Sequence, residues 1–228
     1  MGYWFDGGND ARADPLYVAD IRLVLGESYM KYHPLANDVY QSDFKFLAGQ
    51  FLGMIDLELR LAEVVEGWPV PDVDNYTELI EVLVNEFPND DYDATVLYIG
   101  EIIGVDNHKG AGGCDHWSDN AVAGYFGYNN PDKSRCGYIA LEMTARLRSW
   151  PGYAERAFGH ELSHILGGRH ENASSYCYGL YCGLGVGYRA TLTADSEYHN
   201  YLLRGWRLSD ENLVYIQMTL DRWVRRGS

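Results

Sequence analysis

Lysine is nearly missing from this chain. Only Lys31, Lys45, Lys109 and Lys133 occur in 228 residues, and 18 basic residues face 33 acidic ones, for a formal net charge of −15. No run of Lys and Arg marks a surface for phosphates, and a charge of this sign repels them, so a nucleic-acid binder is excluded. The surface suits either high salt or the acidity common among secreted enzymes. No apolar run approaches the roughly 18 residues that a membrane span needs. Four cysteines occur, Cys114, Cys136, Cys177 and Cys182, but no CxxC pair, which argues against a Cys-rich zinc site. The opening MGYWFDGGNDARADPLYVAD has no basic stretch followed by an apolar one.

What is present is a globular composition, 46% apolar and 22% charged, with length enough for a substantial core. The even cysteine count permits two disulfides in three connectivities. Asn75-Tyr76-Thr77 and Asn172-Ala173-Ser174 fit the glycosylation sequon. Together these point to an extracellular protein, whose leader and any pro-segment would have been removed. Asp6-Gly7-Gly8-Asn9-Asp10 matches one unit of a calcium-binding repeat.

Hydrophobic patterning gives an α/β (α+β) order. Tyr17 to Leu25 reads as a strand, Asn37 to Met54 as a helix, and Leu57 to Val65 as a second strand. Asn75 to Phe87 is a helix with Leu79, Val82 and Leu83 inward. Ala94 to Ile99 is a continuous apolar strand of the buried kind. Gly100 to Asn120 reads as a long loop. Ala121 to Tyr128 and Gly137 to Met143 read as strands joined by Asn129-Asn130-Pro131-Asp132. Tyr153 to Leu166 is a helix stopped by Gly167-Gly168, and an irregular Gly-rich stretch runs on to about Gly187. Ser209 caps a last helix to about Arg226, with Leu213, Ile216, Leu220 and Trp223 on one face. The expected sheet is mixed and twisted, with about five strands.

The chemistry is concentrated in His160-Glu161-Leu162-Ser163-His164-Ile165-Leu166-Gly167-Gly168-Arg169-His170. Positions i and i+4 share a helix face, so His160 and His164 can present two imidazoles to one metal ion. Glu161 can reach a water held there without being a ligand. Gly167 lets the chain leave the helix in a left-handed turn that a residue with a Cβ resists, and that turn can bring His170 round. Three neutral nitrogens with one open position make a catalytic zinc site rather than a structural one.

This segment, HExxHxxGxxH, resembles the zinc signature of the metzincin metalloproteases. The element order upstream looks like their zincin-like N-terminal subdomain, a twisted sheet with two helices before the active-site helix. A helix between the second and third strands is most like the reprolysin (adamalysin) branch, whereas Glu171 after the third His is more like astacins. The resemblance implies one catalytic domain over residues 1–228, with an upper part to about 167 and a smaller, irregular part over 168–228 ending in a helix. It implies zinc ligands His160, His164 and His170 and Glu161 as general base, in a monomer that cleaves protein or peptide substrates. It also implies an edge strand that pairs antiparallel with the substrate, for which Ala121, Val122, Ala123, Gly124 and Tyr125 are the candidates.

Metzincins carry a methionine in a tight turn beneath the zinc. The only Met after His170 is Met218, which reads as packing within the last helix. The segment in the right place, Tyr188 to Asp195, has none, so Leu192 or Thr193 is expected in that slot, Leu192 with the better volume. Layout favours Cys114–Cys136 and Cys177–Cys182, though all three connectivities remain open. Asp106, His108, Asp115, His116 and Asp119 lack compact ligand spacing and read first as a solvated loop, with a second zinc or calcium as the alternative. Asp90, Asp91 and Asp93 read as a solvated turn, calcium again being the alternative. Tyr198 or Tyr201 is a candidate to assist an oxyanion. The functional expectation is a zinc endopeptidase. Its rivals are a catalytically silent binding domain of the same fold, against which the intact Glu161 argues, and a zinc hydrolase of a non-peptide amide.

Overall fold

A computed structural model describes residues 15–32, 36–101, 110–113, 137–143, 153–168, 175–177, 188–190, 207–223 and 225–226. Its centre is a sheet in the order β2-β1-β3-β5-β4. The strands are β1 (Tyr17–Gly26), β2 (Leu57–Trp68), β3 (Ala94–Ile99), β4 (Gly110–Gly113) and β5 (Tyr138–Glu142). Four of them run parallel, and β4 is antiparallel to β5. The helices are α1 (Glu27–Tyr32), α2 (Ala36–Ile55), α3 (Tyr76–Glu86), α4 (Tyr153–Ile165) and α5 (Asp210–Trp223). A short hairpin, β6 (Ser175–Cys177) with β7 (Tyr188–Ala190), lies apart from the sheet's strand order.

The side-chain period of two explains the layers. In β1, Tyr17, Ala19, Ile21, Leu23 and Leu25 enter one core with Phe44, Leu47 and Phe51 of α2. Val24 points the other way, into a second core with Leu79, Ile80, Leu83 and Val84 of α3. The crossover from β1 to β2 moves one way along the sheet, and the crossover from β2 to β3 moves back. Right-handed connections therefore place α2 and α3 on opposite faces. All six residues of β3 are buried, as a strand covered on both faces requires. At the β2 end of the strand order, Arg60 forks onto Glu58 through bonds of 2.9 and 3.0 Å. Charged side chains there discourage pairing with a foreign strand.

The chain's end ties back to its first strand. β3 pairs with β1 only from Ile21 onward, which leaves the first residues of β1 open on that side. β8 (Arg225–Arg226) fills Tyr17 and Val18. Asp93 fills Asp20, donating its amide to the Asp20 carbonyl and accepting the Asp20 amide on its carboxylate, both at 2.8 Å. The Tyr17 hydroxyl donates to Asp221 at 2.6 Å and accepts from Gln217, clamping α5 onto β1.

The structure corrects the expected layout in several places. The 100–120 region contains β4, whose sequence Gly-Ala-Gly-Gly carries no strand signal. Both edges of β5 are taken, by β3 and β4, while the strand expected at 121–128 lies outside the described residues. The stretch expected to be irregular holds β6. The last helix stops at Trp223 and gives way to β8. Short α1 had no periodic signature, and Met218 is 48% exposed rather than packed.

Helix α3 starts on a capping box. The Asn75 side-chain oxygen accepts from the Glu78 amide at 3.0 Å. The Glu78 carboxylate accepts from the Asp74 amide and from the Asn75 carboxamide, each at 3.0 Å. Asn75→Ala should therefore cost about 1 kcal/mol, and thermal unfolding should show a midpoint about 2–4 °C lower. An unchanged midpoint would show that the cap contributes nothing.

Candidate functional site

In open α/β sheets, the crevice where strand order reverses is the usual ligand site. Here that crevice, at the ends of β1 and β3, is filled by α1. Gly100 donates its amide to Ser28 Oγ at 3.0 Å, and a Cβ on Gly100 would sit 2.4 Å from the Ser28 carbonyl oxygen. The polar cluster lies instead on α4, against the far end of the sheet.

Helix α4 is buried from Ala157 onward. Ala157, Phe158, Leu162 and Ile165 join the core shared with α2 and α5. Its other side carries His160, Glu161 and His164, exposed by only 4%, 8% and 3%. Buried groups of this kind need partners. Ser163 donates to the Gly159 carbonyl at 2.7 Å, leaving the helix ladder intact.

The two imidazoles stand nearly perpendicular, with ring centroids 4.4 Å apart at 88°. Their Nε2 atoms approach to 3.0 Å. The Nδ1 atom of His164 lies 2.7 Å from the carbonyl oxygen of Gly168. That oxygen can only accept, so Nδ1 carries the hydrogen and Nε2 of His164 is a bare lone pair. A lone pair facing a second Nε2 at this range requires a proton or a cation between them. Two nitrogens bound to one tetrahedral zinc at about 2.0–2.1 Å lie about 3.3 Å apart, close to the spacing found. The residues present therefore fit a zinc ion, which His160 and His164 would hold through Nε2. Glu161 Oε1 lies 4.0 Å from His160 Nε2.

The helix exit fixes this arrangement. Gly167 donates to the His164 carbonyl and Gly168 to the Ser163 carbonyl, both at 2.8 Å. These two bonds form a Schellman motif, with Gly167 in the left-handed position at φ +98°. The Gly168 carbonyl is thereby aimed back at His164. No residue type announces a backbone carbonyl, so sequence reasoning missed this contact.

Among the described residues, no third His, Cys, Asp or Glu joins the pair. His170, the expected third ligand, lies outside the described residues. So do Ala121 to Tyr125, Leu192, Thr193, Tyr198, Tyr201, Cys114, Cys136 and Cys182, and also Asp106, His108, Asp115, His116 and Asp119. Cys177 ends β6, opposite Tyr188. Asp93 bonds the Asp20 amide, which gives that carboxylate a structural task.

No family model matches the chain, and no curated protein matches it. Among solved structures, it is similar to a chain from one titled "Structure of a chaperone-substrate complex". The TM-score is 0.58 at 15% identity, covering 91% of this chain and 34% of that one. The chain thus spans about a third of the length of that neighbour, and the likeness concerns the fold alone.

Metal analysis tests the fit. Dialysed protein should retain about one zinc per chain, and His164→Ala should lose it, since a ligand and its hydrogen bond to the Gly168 carbonyl go together. Zinc content unchanged in His164→Ala would rule out this centre.

Proposed function

We propose that this chain is a zinc-dependent endopeptidase of metzincin type, with His160, His164 and His170 as ligands and Glu161 as general base. The observation that carries the reading is the 3.0 Å convergence of two buried Nε2 atoms, one with its tautomer set by the Gly168 carbonyl. The eleven-residue motif supplies the third ligand, and the sheet that backs α4 belongs to the general α/β class. When bound, zinc acidifies water and polarises a carbonyl.

The protein's own groups do the rest. Glu161 is nearly buried beside His160, where its carboxylate can take a proton from the attacking water and deliver it to the leaving amine. A peptide needs an edge to lie on. β4 ends the strand order among the described residues and packs against α4. β4, together with the following segment that includes Ala121 to Tyr125, is the proposed platform for β-augmentation. The substrate is an extended protein or peptide chain, met outside the cell, with disulfides Cys114–Cys136 and Cys177–Cys182 suited to that compartment. Among the described residues, no helix is long and apolar enough to cross a membrane.

Glu161→Gln separates binding from chemistry. Zinc content should stay at about one per chain, while hydrolysis of a peptide library falls by several orders of magnitude. A Glu161→Gln protein as active as the parent would refute the assigned base. A parent that binds zinc but cleaves no peptide would favour the silent binding domain or a non-peptide amide substrate.

Peptide mapping under non-reducing conditions should recover Cys114 linked to Cys136. Either alternative pairing would contradict the proposed layout.

A further inference from the structure

We propose that Thr219, on the C-terminal helix, is a positioning residue for His164; the assignment rests on the reading of His160 and His164 as zinc ligands. A Cβ built on Gly167 would lie 3.0 Å from Thr219 Oγ1 and 3.4 Å from the Tyr215 carbonyl oxygen. One turn of α5 therefore lies so near the left-handed residue that ends α4 that no side chain fits between them. Thr219 Oγ1 is itself fixed, since it donates to the Tyr215 carbonyl at 3.1 Å. The next residue after that contact is Gly168, whose carbonyl orients the His164 ring at 2.7 Å. Any shift of Gly167 moves this carbonyl and turns the imidazole.

The floor beneath the turn is held firmly. Ile216 and Leu220 of α5 are fully buried in one cluster with Leu162, Ile165 and Leu166. Asp221 and Gln217 bind the Tyr17 hydroxyl at the start of β1. A continuous chain of contacts thus runs from the sheet through α5 to the second histidine. The hydrogen-bonded oxygen of Thr219 occupies the space that a Cβ on Gly167 would need.

The experiment uses the full chain. Zinc affinity is measured by competition with a chromophoric chelator, the ligand field by the visible spectrum of the Co(II)-substituted protein, and stability by thermal unfolding of the metal-free form. Thr219→Val keeps the volume but loses the oxygen, and should bind zinc about 10-fold more weakly, with a changed Co(II) spectrum. Its metal-free unfolding midpoint should stay close to the parent's. Thr219→Ser keeps the hydroxyl and should bind zinc like the parent. Gly167→Ala probes the contact from the other side. It should also weaken zinc binding, and part of the loss should return in Gly167→Ala/Thr219→Ala, where the opposing oxygen is gone.

Parental zinc affinity and spectrum in Thr219→Val would overturn the proposal. So would an affinity loss that merely tracks lost stability of the metal-free form, or no recovery in the double variant. His164→Ala is the control for the underlying reading. If it binds zinc as tightly as the parent, the ligand assignment fails, and the Thr219 assignment falls with it.

Discussion

The hydrogen bond from His164 Nδ1 to the Gly168 carbonyl joins a helix to its own exit, and much of the candidate centre follows from it. It sets which nitrogen of His164 carries the hydrogen, and so leaves Nε2 directed at His160. It exists only because the chain reverses at Gly167, where φ is +98° and a side chain would strain the backbone and meet α5. Two further bonds of 2.8 Å close the reversal, satisfying carbonyls that a helix end would otherwise leave bare. The turn thus supplies both a helix stop and a ring orientation.

This constraint works because its surroundings are rigid. Burying two imidazoles and a carboxylate within one turn of a helix costs free energy unless each is satisfied. The opposite face of α4 offsets that cost with Phe158, Leu162 and Ile165 packed on the sheet. Each fully buried side chain of this size contributes about 1.5–3 kcal/mol. Phe158 also meets Tyr98 of β3 edge to face, with centroids 6.3 Å apart, which fixes the helix rotation relative to the strands. The start of β1 is closed by β8 and Asp93, so the sheet that backs the site has little freedom to slip.

Much of this could be read from residue patterns. The alternation of Tyr17, Ala19, Ile21, Leu23 and Leu25 announces β1, and the unbroken apolar run of Ala94 to Ile99 announces β3. The i, i+4 spacing of His160 and His164 places them on one helix face, as found. What escaped has physical reasons. β4 consists of glycine and alanine, so its strand character comes from pairing with β5 rather than from side chains. β6, β7 and β8 are too short for any period to register. The nearness of Thr219 to Gly167 joins residues far apart in the chain, and the Gly168 carbonyl belongs to the backbone. Neither leaves a mark in residue type.

The helix and its exit turn are proposed to deliver histidine nitrogens to one zinc ion. X-ray absorption at the zinc edge reads the ligands directly in solution. The account predicts a first shell of three imidazole nitrogens at about 2.0–2.1 Å with one further light ligand and no sulfur. A shell containing sulfur at about 2.3 Å, or one without imidazole scattering, would contradict it.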